Sequence, residues 1–446
     1  MSTPVVPPTT IAPPNPAVSS ASSDSRYQSP QRIPVSNAPP EPRAVEETGI
    51  RKSILEALAL KVLYLNGPFS LFELAKHTRL SLEVVDELFE RLRAEQQCSV
   101  TGLLGNVPTI AITGSGRTRA LELLSLNQYA GPAPVAMESY KQWVRKQSAH
   151  KVEVHAADVK RAFSQLVMTD KTLAQIGTAL NSGSSLFLYG PTGTGKTTIA
   201  ETLCRVLAED LVWIPYAVEV DGQIISVYDP LVHKRAEKTP ASDSRWVLCQ
   251  RPAVMAGGEL TIEMLDMQFS PITKYYSAPL QMKANNGVLI IDDFGRQRIQ
   301  PEAFLNRWVV PLDRRIDFLT LTGGQTIEVP FEVMVVFSTN RNPSEVLEDA
   351  FLRRVQTKIK IDAVSDDQFC EIFRRVAAER GVATDDAVLK QLALFIRETI
   401  QEPLRPCYPR DLMNQITWAA RFEGKPPVLD HASIMRAVDA YFITPS

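Results

Sequence analysis

Two stretches of the chain carry residue types that could do chemistry together. The first, GPTGTGKTT, spans Gly190 to Thr198, follows the apolar run SLFLY and matches the spacing G-x-x-x-x-G-K-[ST]. Glycines at 190, 193 and 195 let the backbone curl until several N–H groups point at one anion, and a helix opening near Lys196 adds its positive end. Lys196 is then placed for the β- and γ-phosphates of a nucleoside triphosphate, and the Thr197 hydroxyl for Mg²⁺. Gly190, Pro191, Thr192, Gly193, Thr194, Gly195, Lys196, Thr197 and Thr198 form the expected cradle, with ATP and Mg²⁺ as cofactors. The second stretch, GVLIIDDFGR, runs from Gly287 to Arg296. Val288–Ile291 asks for burial as a central strand, yet it delivers two like charges that need a cation or a reacting group. Asp292 is the carboxylate expected to position Mg²⁺ through its water shell, and Asp293 the one expected to orient or deprotonate an attacking water.

Those residues need rigid elements behind them. Short apolar runs, Leu186–Leu188, Val212–Ile214, Val288–Ile291, Val333–Phe337 and Lys358–Ile361, alternate with helical stretches. That alternation predicts a parallel sheet in an α/β domain over residues 151–363. From 364 to 446 the pattern is helical throughout and predicts a separate small domain. Residues 1–45 form a Pro/Ser-rich tail: 11 of the 32 prolines fall before residue 44, which predicts disorder. Residues 129–150 read as a linker opened by Gly-Pro punctuation and leading into helix.

Between tail and linker, residues 46–128 predict three helices, a β-hairpin around a Gly-Asn turn and a further helix, an order that resembles a winged-helix domain. Residues 51–130 hold nine Lys/Arg and eight Asp/Glu. The helix that would enter a DNA groove carries Glu83, Asp86, Glu87, Glu90 and Glu95 against Arg91 and Arg93, a face that phosphates repel. Docking of a protein is therefore favoured over DNA.

The 446-residue chain is 44% hydrophobic and 22% charged, with a net charge of −2 and a pI near 6.3. No global charge draws it to nucleic acid or an acidic membrane. Five scattered cysteines show neither metal spacing nor a disulfide framework. With no bilayer-length apolar span and no signal-like N-terminus, a cytoplasmic location is expected.

The phosphate loop, the apolar strand ending in Asp292-Asp293, VVFSTN (to Asn340), EDAFLRRV (Glu348–Val355) and Pro409-Arg410-Asp411, in this order, resemble an AAA+ ATPase over roughly residues 150–446. The resemblance implies an AAA+ P-loop core with a helical lid and ATP hydrolysis in a homo-oligomeric, hexameric ring. By similarity Asn340 is the first sensor and Arg410 the second. The arginine pair at 353–354 marks the position of a finger reaching the neighbouring subunit's nucleotide, with Arg354 preferred to Arg353. Such fingers are worth about 10³–10⁵ in rate. The family usually carries Glu where this chain has Asp293, although replication initiators and transposition helper ATPases resemble it in their Asp-Asp pair. The shorter side chain leaves the hydrolysis rate open.

Ninety-six positions separate Lys196 from Asp292, more than a minimal core needs. The insert ends in KANNGVLIIDD, similar to the branch of MoxR-like chaperones and magnesium chelatases with an extra hairpin in the second helix. Phe318–Phe331, two strands around Gly323-Gly324, resembles that branch's pre-sensor hairpin, which faces the ring's pore; a rigid surface hairpin is the alternative. GPAPV, APLQMKAN, DDFGRQ and LNRWVVPL look like those of bacterial proteins described as ATPases with chaperone activity. The resemblance fixes the motor and not the task; remodelling of a protein substrate or adaptor is the expectation. A DNA-associated ATPase and a slowly hydrolysing, ATP-switched scaffold remain as alternatives.

Overall fold

The computed structural model describes residues 38–104, 107–346 and 348–442. The tail expected to be disordered falls at 1–37 outside the described residues. Residues 38–45 are inside them, and Val45 is buried.

The centre is a five-stranded parallel sheet, whose strands we label β1 (Leu186–Tyr189), β2 (Ala253–Ala256), β3 (Val288–Ile291), β4 (Met334–Thr339) and β5 (Thr357–Lys360). Its spatial order is β2-β3-β4-β1-β5. All four residues of β3 and all six of β4 are buried, as continuous apolar runs in a sheet covered on both faces must be. Phe187, Phe294, Phe304 and Phe337 pack edge-on or stacked on one face. Because β1 lies between β4 and β5, the chain leaves neighbouring strands in different directions there. A crevice at the strands' C-terminal ends follows from that switch.

The α/β class and the parallel sheet are as expected, with one correction. Val212–Ile214 is not a strand of this sheet. It belongs to Leu211–Pro215, which pairs antiparallel with Trp246–Gln250, and Ala253–Ala256 takes the place beside β3. The reason is packing: Val212 is buried in a separate cluster with Trp246 and Leu248, whereas the edge strand β2 needs only Val254 and Ala256 inside.

The insert between the phosphate loop and β3 supplies 268–269, 276–277, 223–226 and 217–220 to a second five-stranded sheet, which 135–136 completes. The hairpin Ile316–Thr320/Thr326–Pro330 lies against it through buried Leu319, Ile327 and Val329, and Tyr276 accepts the Thr322 N–H at 2.8 Å. Asp317 at the hairpin's base is buried and held by Arg307 at 2.6 Å. One side of the hairpin, with Phe318 and Thr320, and its Gly323-Gly324 tip are exposed, while Leu319, Ile327 and Val329 anchor the other side.

Residues 52–66, 71–78 and 82–94 are helices, followed by the antiparallel pair 98–104/107–112 and the helix 114–126. Val135-Ala136, in the expected linker, pairs with Val218-Glu219 of the insert, and a helix spans 137–146. The core of the N-terminal unit runs on into the insert through Ala217 and Ile224. Arg245 seals this junction. It grips Asp243 at 2.8 Å and donates to the carbonyls of Thr48 and Pro134, with both side chains about 95% buried. The C-terminal unit has four helices, 366–379, 386–398, 408–422 and 431–441, around its own apolar cluster.

Removing one partner of a buried ion pair leaves the other charge uncompensated. Arg245→Ala is expected to destabilise the chain by about 3–5 kcal/mol and to admit protease between 43 and 52. Denaturant unfolding with limited proteolysis checks this; unchanged stability and cleavage would contradict the junction's role.

Candidate functional site

The loop after β1 bends into the crevice because two glycines permit it. Gly190 has φ +145°, and a Cβ there would lie 2.0 Å from the carbonyl oxygen of Ile361, just past β5. Gly193 has φ +81°, and a Cβ there would meet the Cys407 sulfur at 2.7 Å. The helix Lys196–Leu207 then begins, its first turn aimed back at the loop. The glycine loop and the positive end of this helix thus lie together, and helix N-termini of this kind attract anions.

Lys196 is buried beneath this loop. Its Nζ donates to the carbonyls of Gly190 at 2.9 Å and Pro191 at 2.8 Å. Burial pushes its pKa down, while the carboxylates of Asp293 and Asp292 push it up. An ammonium held by loop carbonyls lies where phosphate oxygens are better acceptors, since charge-assisted bonds are the stronger.

Ninety-five positions later in sequence, Asp292 arrives at the same point: its Oδ2 accepts from Thr197 Oγ1 at 2.8 Å. A hydroxyl and a carboxylate in contact are an all-oxygen donor set, which fits Mg²⁺ better than softer ions. Asp293 is exposed and has φ +49°, a left-handed backbone that few residues other than glycine adopt. The turn is pinned to β4: Phe294 N–H donates to Ser338 O at 2.7 Å, and Thr339 Oγ1 donates to Phe294 O at 2.8 Å. The second carboxylate is thereby turned off the strand axis. Asn340, one residue beyond β4, donates from Nδ2 to Thr192 Oγ1 at 3.2 Å. Gly190–Thr198, Asp292, Asp293 and Asn340 therefore sit together at one edge of the sheet.

The two arginines behave differently. Arg354 pairs with Asp313 at 2.8 Å, on the helix Pro301–Arg314. Arg410 is 68% exposed and pairs with its neighbour Asp411 at 3.3 Å. The C-terminal unit instead meets the loop through Arg405 and Cys407, whose Cδ and Sγ face Gly193. Neither belongs to a recognisable spacing; a turn ahead of the helix Tyr408–Phe422 puts them there.

Gly190→Ala would force the Ile361 carbonyl aside and is expected to destabilise the chain by about 2 kcal/mol or more. A thermal unfolding midpoint equal to wild type would contradict this close approach.

A family model described as a domain of unknown function (DUF8689) matches residues 365–440. No curated protein matches the sequence. Among solved structures, the chain is similar to NtrX from Brucella abortus in complex with ADP, at 16% identity and a TM-score of 0.38, covering 64% of this chain and 59% of that one. It is similar also to the Thermotoga maritima RuvB Holliday junction branch migration motor, at 14% identity and a TM-score of 0.37, covering 61% and 69%. The chain thus spans less than two thirds of the NtrX chain's length. No helix among the described residues is long and apolar enough to cross a membrane.

Proposed function

We propose that the chain is an AAA+ ATPase that hydrolyses ATP in a homo-oligomeric ring and uses the cycle to remodel a protein partner. The observation that carries this reading is the Thr197–Asp292 contact beside buried Lys196, under a loop whose backbone only glycine permits at 190 and 193. The loop N–H groups and Lys196 would bind the phosphates, and Thr197 and Asp292 would hold Mg²⁺, which when bound would supply charge neutralisation at the phosphoryl oxygens. Asp293, turned outward by its left-handed backbone, accepts a proton from the attacking water. Asn340, already against Thr192, orients that water or the terminal phosphate. Arg354 serves a neighbouring copy's nucleotide, leaving its pair with Asp313 to do so.

A protein partner is supported by the N-terminal unit. The helix Leu82–Ala94 exposes Glu83, Asp86 and Glu90, a face that attracts basic protein surface and repels nucleic acid. Its N-terminal end, the part that would enter a DNA groove, is occupied: Ser81 Oγ donates to Pro42 O at 2.6 Å and Glu87 accepts the Val45 N–H. Movement reaches this unit through the insert, to which Arg245 ties it.

Lys196→Ala is expected to lose ATP binding, read by displacement of a fluorescent ATP analogue; retained affinity contradicts the cradle. Asp293→Asn should keep binding and lower phosphate release about 10²–10⁴-fold, the usual worth of a positioned base. Wild-type turnover in that variant would remove Asp293 from the chemistry. Arg354→Ala should likewise bind ATP but lose turnover by at least about 10³-fold, and full activity would remove the finger.

A further inference from the structure

Strand β4 carries one polar side chain that the site has not engaged. Ser338 is buried, and its Oγ has no hydrogen-bond partner among the described residues. A buried hydroxyl left unpaired costs stability, so its presence needs a reason. Strand register shows what it lies beside. Ile290 stands opposite Val336 and Ile291 opposite Phe337, so the next pair in line is Asp292 and Ser338. On its other side Ser338 stands opposite Leu188 of β1. Side chains alternate between faces along a strand, and neighbouring strands lie about 4.8 Å apart. Ile290, Val336 and Leu188 pack with Ile199 and Ala200 of the helix Lys196–Leu207. Ser338 shares their parity, so its hydroxyl lies on the same face, toward the start of that helix. Asp292 points to that face too, as its contact with Thr197 shows.

We propose that Ser338 is a positioning residue for Mg²⁺, its hydroxyl donating to the Asp292 carboxylate when the cation is bound. Thr197 holds one oxygen of that carboxylate, Oδ2, and a carboxylate held at one point still swivels. Its lone pairs accept from several directions, and a second donor fixes which of them face the waters of the cation. Ser338 is placed to be that donor. It is the lateral neighbour of Asp292, and a serine hydroxyl changes direction by rotation about a single side-chain bond. Its strand is already tied to the aspartate turn, because the Ser338 carbonyl accepts the Phe294 N–H at 2.7 Å. This inference rests on the nucleotide reading above and adds to it a residue that sets the metal requirement.

The test is titration of the full-length protein with Mg²⁺ at a fixed, subsaturating concentration of a fluorescent, non-hydrolysable ATP analogue. Wild type, Ser338→Ala and Ser338→Thr are compared, and thermal midpoints are measured in EDTA. In Ser338→Ala the Mg²⁺ concentration that gives half-maximal binding is expected to rise about three- to tenfold, the net worth of one hydrogen bond. Binding in EDTA should stay at the wild-type level. Ser338→Thr, which restores the hydroxyl, should restore the wild-type Mg²⁺ requirement. The metal-free midpoint of Ser338→Ala is expected to equal or exceed that of wild type, because the change removes a buried hydroxyl without a partner. An unchanged Mg²⁺ requirement in Ser338→Ala overturns the inference. So does an equal loss of binding in EDTA or a lowered metal-free midpoint, either of which marks a structural role. A threonine variant with a wild-type midpoint that keeps the alanine variant's requirement overturns it as well. These outcomes leave the nucleotide cradle standing, whereas wild type that binds no analogue at any Mg²⁺ concentration overturns the cradle and this inference together.

Discussion

The hydrogen bond from Thr197 to Asp292 is the constraint on which the site depends. It joins the first turn of the helix after β1 to the end of β3, two strands that are not neighbours. Between them runs β4, and its last residues hold the aspartate turn on one side and reach Thr192 on the other. A parallel sheet brings all three strand ends to one edge, so backbone geometry converges the groups before any ligand is present. The remaining electrostatics are local. A buried ammonium is disfavoured by desolvation, and the two aspartates and two loop carbonyls offset that penalty.

The rest of the molecule reads as equipment for passing a change at this edge outward. Toward the C-terminus, Arg405 and Cys407 touch the loop directly and belong to a helical unit with its own core. In the other direction the insert carries the anchored hairpin and is joined to the N-terminal unit by shared apolar packing and by Arg245, which donates to the Thr48 and Pro134 carbonyls. The N-terminal unit and insert are therefore packed against each other, whereas the C-terminal unit meets the loop through Arg405 and Cys407.

Much of this was legible in the sequence for a physical reason. Phosphate loops need glycine at fixed places and central strands need unbroken apolar runs, so Gly190–Thr198, Val288–Asp293 and the run ending at Asn340 were readable. What failed depended on tertiary choice. Val212–Ile214 is as apolar as a core strand, and nothing local reveals that it pairs with Trp246–Gln250 instead. Ala253–Ala256 escaped because an edge strand with two exposed positions carries a weak pattern. Arg410 sits in a recognisable context yet faces solvent, while Arg405 sits in a turn without a pattern and faces the loop. Side chains delivered by turns are placed by the packing behind them, which a single sequence does not display.

The central claim is that this crevice cleaves ATP between copies of the chain. Inorganic phosphate release, measured with saturating ATP and Mg²⁺ over a range of protein concentrations, tests it most directly. Specific activity is predicted to rise with protein concentration and level off as copies assemble. Activity that never exceeds the buffer blank at any concentration would contradict the account.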